Sequence, residues 1–242
     1  MKLLILLFII SNVYCGITNN FTVLPNNDIY IAHTKNSVIY KKTNDTTVVP
    51  IVGKEGFHSK NDEFAKPTQG SEFILYRPTS IINNLRNDIY FVNNDKYIKY
   101  FNTYKFTVQS INIDNDFNNV IANITTNASN NLYVANYSDG KSTIYKFNFK
   151  NSYTFEKAND VVIINEEIKT INYANNSINV ITNKSYYKYS LELDNNTKET
   201  VTDKIKSTNN TNKLEDMQDF VIDENFEIGY LAFQERLKWF YF

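Results

Sequence analysis

Residues 87–101 read NDIYFVNNDKYIKYF. An Asn-Asp turn opens an apolar run, Ile89-Tyr90-Phe91-Val92, and after a polar break a second run alternates around Lys99. The same order recurs along the chain. Ile29-Tyr30-Ile31 leads to Val38-Ile39-Tyr40-Lys41-Lys42, and Leu132-Tyr133-Val134 leads to Ile144-Tyr145-Lys146-Phe147. Ile178-Asn179-Val180 leads to Tyr186-Tyr187-Lys188-Tyr189, and Ile228-Gly229-Tyr230 leads to Arg236-Leu237-Lys238-Trp239-Phe240. Each copy is preceded by another apolar segment, such as Phe21-Thr22-Val23-Leu24 or Thr79-Ser80-Ile81-Ile82. Behind the first four lies one more, such as Thr47-Val48-Val49-Pro50-Ile51 or Phe106-Thr107-Val108. Strand formers and turn formers alternate with no sustained helical stripe.

Four short strands repeated about every 45 residues predict an all-β fold, a β-propeller of about five four-stranded blades. One small sheet cannot bury both faces, so radial packing lets each blade shield the next. The third-strand lysine is expected on an outward face, with its aromatic neighbours between blades. Two irregularities stand out. About 60 residues separate the first two copies, the excess being residues 54–77, read as an insertion or an eroded blade. The last copy ends after its third strand, which predicts imperfect closure.

Residues 1–15, MKLLILLFIISNVYC, carry one lysine and then an apolar stretch. That pattern reads as a secretory signal peptide, too short for a bilayer-spanning helix. Residues 16–242 are then one secreted domain, and cleavage after Cys15 removes the only cysteine. Stability must come from packing without disulfides. A net charge of −1 with no basic stripe argues against nucleic acid. Sequons at Asn20, Asn44, Asn123, Asn127, Asn136, Asn175, Asn183, Asn195 and Asn209 predict a glycosylated surface.

Three stretches carry a family resemblance: VPIVGKEGF (49–57), DIYFVNNDKYIKYFNTYKF (88–106) and DFVIDEN (219–225). Together with NDIYIAHTKNSVIYKK (27–42) they resemble the repeat of NHL and gluconolactonase-like propellers, and more narrowly the secreted ommochrome-binding proteins of insects. That resemblance implies non-catalytic binding of a tryptophan-derived pigment, with no metal or other cofactor. The chain departs from the pattern in being short after Phe57, which puts an inherited pocket in doubt.

Catalytic groups are sparse. His33 and His58 have no i, i+4 partner, and no HExxH or CxxC framework exists. Asp114-Asn115-Asp116 lacks the spacing and glutamate of a calcium loop, and Asp139-Gly140 reads as a tight hairpin turn. Binding at the propeller mouth is better supported, because inter-strand loops converge there. Arginine forks match carboxylates, so His33, Tyr76, Arg77, Tyr137 and Arg236 are the candidate contacts for a planar aromatic acid. Trp239 is assigned to packing. The expected protein is a secreted, monomeric, non-enzymatic binder of a small aromatic ligand, with no nucleic acid or membrane partner. The alternative is an extracellular protein-interaction module using a propeller face or open edge; a third reading is a lactonase-like hydrolase.

Overall fold

The computed structural model describes residues 20–24, 26, 28–42, 47–59, 67–84, 86–113, 120–182, 184–194 and 199–200, and strand backbone over 217–223, 228–233 and 236–241. The proposed signal peptide lies outside the described residues.

The strands assemble in chain order into sheets. The first sheet holds β1 (Asn20–Val23), β2 (Ile29–His33), β3 (Val38–Lys42) and β4 (Val48–Val52). The second comprises β5 (Thr68–Gln69), β6 (Thr79–Asn83), β7 (Ile89–Asn93), β8 (Tyr97–Asn102) and β9 (Thr107–Ser110), in the order β5-β9-β8-β7-β6. The third comprises β10 (Asn112–Ile113), β11 (Val120–Thr126), β12 (Leu132–Ser138), β13 (Lys141–Asn151) and β14 (Thr154–Ile164), in the order β10-β14-β13-β12-β11. The fourth runs β15 (Ile168–Ala174), β16 (Ser177–Thr182), β17 (Tyr186–Tyr189) and β18 (Glu199–Thr200). A last sheet holds three strands, β19 (Met217–Asp223), β20 (Ile228–Phe233) and β21 (Arg236–Tyr241).

The architecture is an all-β propeller, with first strands meeting in succession: β1 on β6, β6 on β11, β11 on β15 and β15 on β19. Alternation along the second strands explains the packing. In β7, Ile89 and Phe91 join a core with Tyr30 and Ala32 of the first sheet. Tyr90 and Val92 turn the other way and meet Leu132 and Val134 of the third. In β12, Tyr133 and Ala135 in turn meet Ile178 and Val180 of the fourth. Ile29 and Ile31, on the far face of the first sheet, are also buried.

The blade count needs correction. Four sheets reach four strands or more and the fifth has three among the described residues, so there are four full blades rather than about five. The sequence repeat marks the middle hairpin of a blade, not the whole sheet. Outer strands come from whichever segment reaches the edge. From the long segment 54–77, Thr68–Gln69 supplies the outermost strand of the second sheet, and Phe73 and Leu75 are buried between the first two sheets. Gly70 permits this docking. A Cβ there would lie 2.4 Å from the Ile51 carbonyl oxygen, closer than any side chain tolerates. Hydrogen bonds Gly53 N–H to Gly70 O (3.0 Å) and Gly70 N–H to Phe106 O (2.8 Å) then tie the two blades together.

The lysines also differ from expectation. Lys41 opposes Tyr30 and Lys146 opposes Tyr133, but Lys99 opposes Phe91, one position out of step. One residue of register exchanges the two faces of a strand. Lys99 therefore shares the Phe91 face turned toward the first sheet, where it is completely buried, donating to Ser110 Oγ at 2.7 Å and lying 5.3 Å from the Phe73 ring centroid. Lys146, also buried, bridges Asp160 at 3.4 Å and Glu192 of the fourth blade. Neither faces outward, because each ammonium finds hydrogen-bond or ring partners between blades.

Candidate functional site

Each blade has two ends. Turns from second to third strand, and the segments linking one sheet to the next, gather at the mouth end. Turns from first to second and from third to fourth strand gather at the opposite end. The mouth-end contacts are direct: Thr34 Oγ1 donates to Pro78 O (3.0 Å), Asn94 N–H to Tyr76 O (2.8 Å), and Ile121 N–H to Asp95 O (2.7 Å).

All five sequence candidates fall at the mouth end by topology, since each ends a second strand, starts a third or precedes a blade. Their states differ. His33, the last residue of β2, is 5% exposed, and its Nδ1 accepts from Asn36 N–H at 3.1 Å. Its ring meets Tyr40 edge-on, and burial pulls its pKa below the usual histidine range. Tyr76 is half-buried, with its N–H donating to Asn93 Oδ1 at 2.9 Å. Arg77 sits in left-handed backbone (φ 49°), held where its N–H donates to Ser37 Oγ. Its side chain is 54% exposed and pairs with Asp95 at 3.3 Å. Tyr137 is half-buried near the end of β12, beside the Asp139-Gly140 hairpin turn. Both turn residues have positive φ, as a tight hairpin turn requires. Arg236 begins β21, and its side chain lies outside the described residues.

Toward the axis, polar side chains join neighbouring first strands. Thr22 Oγ1 of β1 donates to Asn83 Oδ1 of β6, and Thr126 Oγ1 of β11 donates to Asn83 O. Ile124 N–H donates to Ser80 Oγ, Ile171 N–H to Asn123 Oδ1, and Tyr173 N–H to Thr125 Oγ1. First strands of adjacent blades share no ladder, so these side chains satisfy main-chain groups that would otherwise be stranded. Among the described residues no three His, Cys, Asp or Glu side chains converge as a metal site, and no helix is long and apolar enough to cross a membrane.

The opposite end holds what sequence reasoning missed. Asn102 Oδ1 accepts from Tyr104 N–H (3.1 Å) and Lys105 N–H (2.7 Å). Asn151 Oδ1 likewise accepts from Tyr153 N–H (3.2 Å). The stretches Asn102-Thr103-Tyr104 and Asn151-Ser152-Tyr153 are thus the same Asx-type turn on adjacent blades. Tyr104 is 90% exposed, Tyr153 48% and Phe106 46%. The Arg86 guanidinium covers the Phe149 ring at 5.2 Å. Beneath lies Asp88, which accepts from Tyr100 Oη (2.9 Å) and Ser152 Oγ (3.5 Å), with burial raising its pKa. The Asn-Ser/Thr-Tyr repeat was visible in the sequence, but it falls outside the apolar strands that defined the blade.

Three sequon asparagines turn out to be interior. Asn123, Asn127 and Asn136 are 6%, 5% and 3% exposed. Asn175, at the β15–β16 turn, is exposed. Nothing is described of the side chain of Asn20, and Asn44, Asn183, Asn195 and Asn209 lie outside the described residues.

No protein-family model matches the sequence, and no curated protein matches it significantly. Solved structures match it in fold. A gluconolactonase from Xanthomonas campestris aligns with a TM-score of 0.63 at 10% identity, over 92% of this chain and 70% of its own. A putative gluconolactonase aligns with a TM-score of 0.63 at 9% identity, over 92% and 72%. YCF48 from Cyanidioschyzon merolae aligns with a TM-score of 0.58 at 10% identity, over 94% and 70%. At these identities the shared property is the fold, a β-propeller.

Proposed function

We propose that this chain is a secreted, non-enzymatic binding propeller that recognises an extracellular protein through the end bearing Tyr104 and Tyr153. The observation that carries the reading is the presentation of two tyrosines by one turn design on adjacent blades, one of them 90% exposed. Rigid amphipathic tyrosines lose little entropy on contact and are enriched at interfaces. Arg86 and Lys105, both exposed, flank them; Arg86 covers the Phe149 ring and acts on the buried Asp88 carboxylate, and both cations still meet solvent. An acidic partner segment matches that charge. The fold permits such use: one YCF48 structure is bound to the D1 peptide, and another matching chain comes from a nidogen/laminin complex.

The test is affinity capture from the extracellular fluid of the source tissue, with quantitative mass spectrometry of wild type beside the Tyr104→Ala/Tyr153→Ala protein. One stoichiometric partner held by wild type and lost by the variant is expected. Equal recovery by both proteins, or none by wild type, would overturn the reading.

A second reading rests on Arg77, whose guanidinium is 54% exposed beside half-buried Tyr76 at the mouth. A planar aromatic acid of the ommochrome type would displace Asp95 from Arg77 and stack on the tyrosine. Titration with xanthommatin, followed by absorbance and tryptophan quenching, should then saturate and weaken at least tenfold in Arg77→Ala. An unchanged spectrum at high micromolar ligand removes this reading.

A further inference from the structure

We propose that Asn175 is an N-glycan acceptor, while Asn123, Asn127 and Asn136, which carry the same triplet, are structural and unmodified. The proposal is independent of the partner reading above. It concerns what happens once the chain enters a secretory compartment.

The four sites share the N-x-S/T triplet that the transferase recognises, and the fold separates them. Asn175 and Asn176 occupy consecutive left-handed positions (φ 50° and 54°) at the tip of the β15–β16 hairpin, and both are exposed. Asparagine tolerates that conformation with little strain, which makes it a favoured tip residue. The Ser177 hydroxyl donates to the Asn175 carbonyl at 3.2 Å, so the triplet spans the two-residue turn and the first residue of β16. A branched sugar at the tip meets solvent.

The other three face the interior. Asn127 Nδ2 donates to Tyr133 Oη (3.2 Å), and its Oδ1 accepts from Ser129 N–H and Asn131 N–H. Asn123 Oδ1 accepts from Ile171 N–H of the next blade (3.4 Å). Asn136 lies within β12, paired on both sides by β11 and β13. A glycan on any of them would have to be buried between blades, with its hydroxyls stripped of water. Chains modified there would not reach this fold.

The co-reactant is a lipid-linked oligosaccharide diphosphate. The bond from Asn175 Nδ2 to the first sugar carbon forms, the bond from that carbon to diphosphate oxygen breaks, and the amide proton leaves with the lipid diphosphate. No electrons change hands.

The full chain is secreted from insect cells behind an efficient leader in place of residues 1–15. Enzymatic deglycosylation in heavy-oxygen water then maps acceptors by peptide mass. Heavy label at Asn175 and none at Asn123, Asn127 or Asn136 is expected. The Asn175→Asp protein, which keeps a residue tolerant of the left-handed turn, should migrate one glycan step faster at an unchanged melting temperature. An unlabelled Asn175, or label at any of the three interior sites in secreted protein, would overturn the assignment.

Discussion

The two ends of the propeller are built from the same residue types and use them oppositely. At the mouth, polar groups are consumed in holding turns and linking segments: His33 accepts from Asn36 N–H within one hairpin turn, while Arg77 pairs with Asp95 and Asn93 accepts from Tyr76 N–H, tying the segment before β6 to its own blade. At the opposite end, asparagines shape the turns and leave tyrosines outside. The difference follows from connectivity. The chain passes between blades at the mouth, where irregular main chain must be hydrogen-bonded. At the other end each turn connects strands of its own sheet, and although Ser152 still bonds to Asp88 and Tyr90 of the neighbouring blade, the side chains of Tyr104 and Tyr153 stay outside.

The contrast can be broken by mutation. The largest effect is expected from Asn127→Ala, which removes the one acceptor of two turn N–H groups and a donor to the buried Tyr133 hydroxyl. A loss of about 1–3 kcal/mol in denaturant unfolding is expected. A loss below the error of the midpoint would mean that water replaces those bonds.

Next come opposite pH slopes at the two ends. Burial lowers the pKa of His33 from 6.5. Its contribution is complete above that value and erodes as pH falls toward the lower native one. Burial raises the pKa of Asp88 above 3.8, so its contribution is complete in acid and is lost as pH rises through the native value. His33→Asn should therefore flatten the decline of melting temperature between neutral and mildly acid pH. Asp88→Asn should flatten the decline on the alkaline side of 3.8. Parallel profiles for wild type and variant at either site would refute that assignment.

A smaller effect is expected at Lys99, whose buried ammonium meets Ser110 and aromatic rings. Replacing a buried charge by an apolar chain of similar shape is often neutral. Lys99→Met should change stability by no more than about 1 kcal/mol, measured by thermal unfolding, whereas Lys99→Glu should fail to fold. The smallest effect belongs to Tyr104→Ala with Tyr153→Ala. Stability should stay within about 0.5 kcal/mol per site while partner binding disappears. Destabilisation well beyond that would make these tyrosines packing residues instead.

The blade hairpins were legible because alternation and turn chemistry act within a few residues. Asp139-Gly140 closes β12 onto β13 as its composition indicates, and Ile29-Tyr30-Ile31 forms a strand buried on both faces. The candidate contacts were legible only as belonging to one end, for the same reason: chain order places strand termini. Their chemistry was not. Nothing within the neighbourhood of Arg77 in sequence announces Asp95, eighteen residues on, as its ion partner.

Local sequence therefore determined strands, turns and the propeller class, because backbone propensity and period-two burial depend on near neighbours. Tertiary structure alone decided which face each strand shows to which blade. That choice buried Lys99, closed Asn127 against Tyr133 and left Tyr104 in solvent. A one-residue shift of register exchanges the faces a strand shows to its neighbours, and register is set by packing against another sheet that no local stretch of sequence contains.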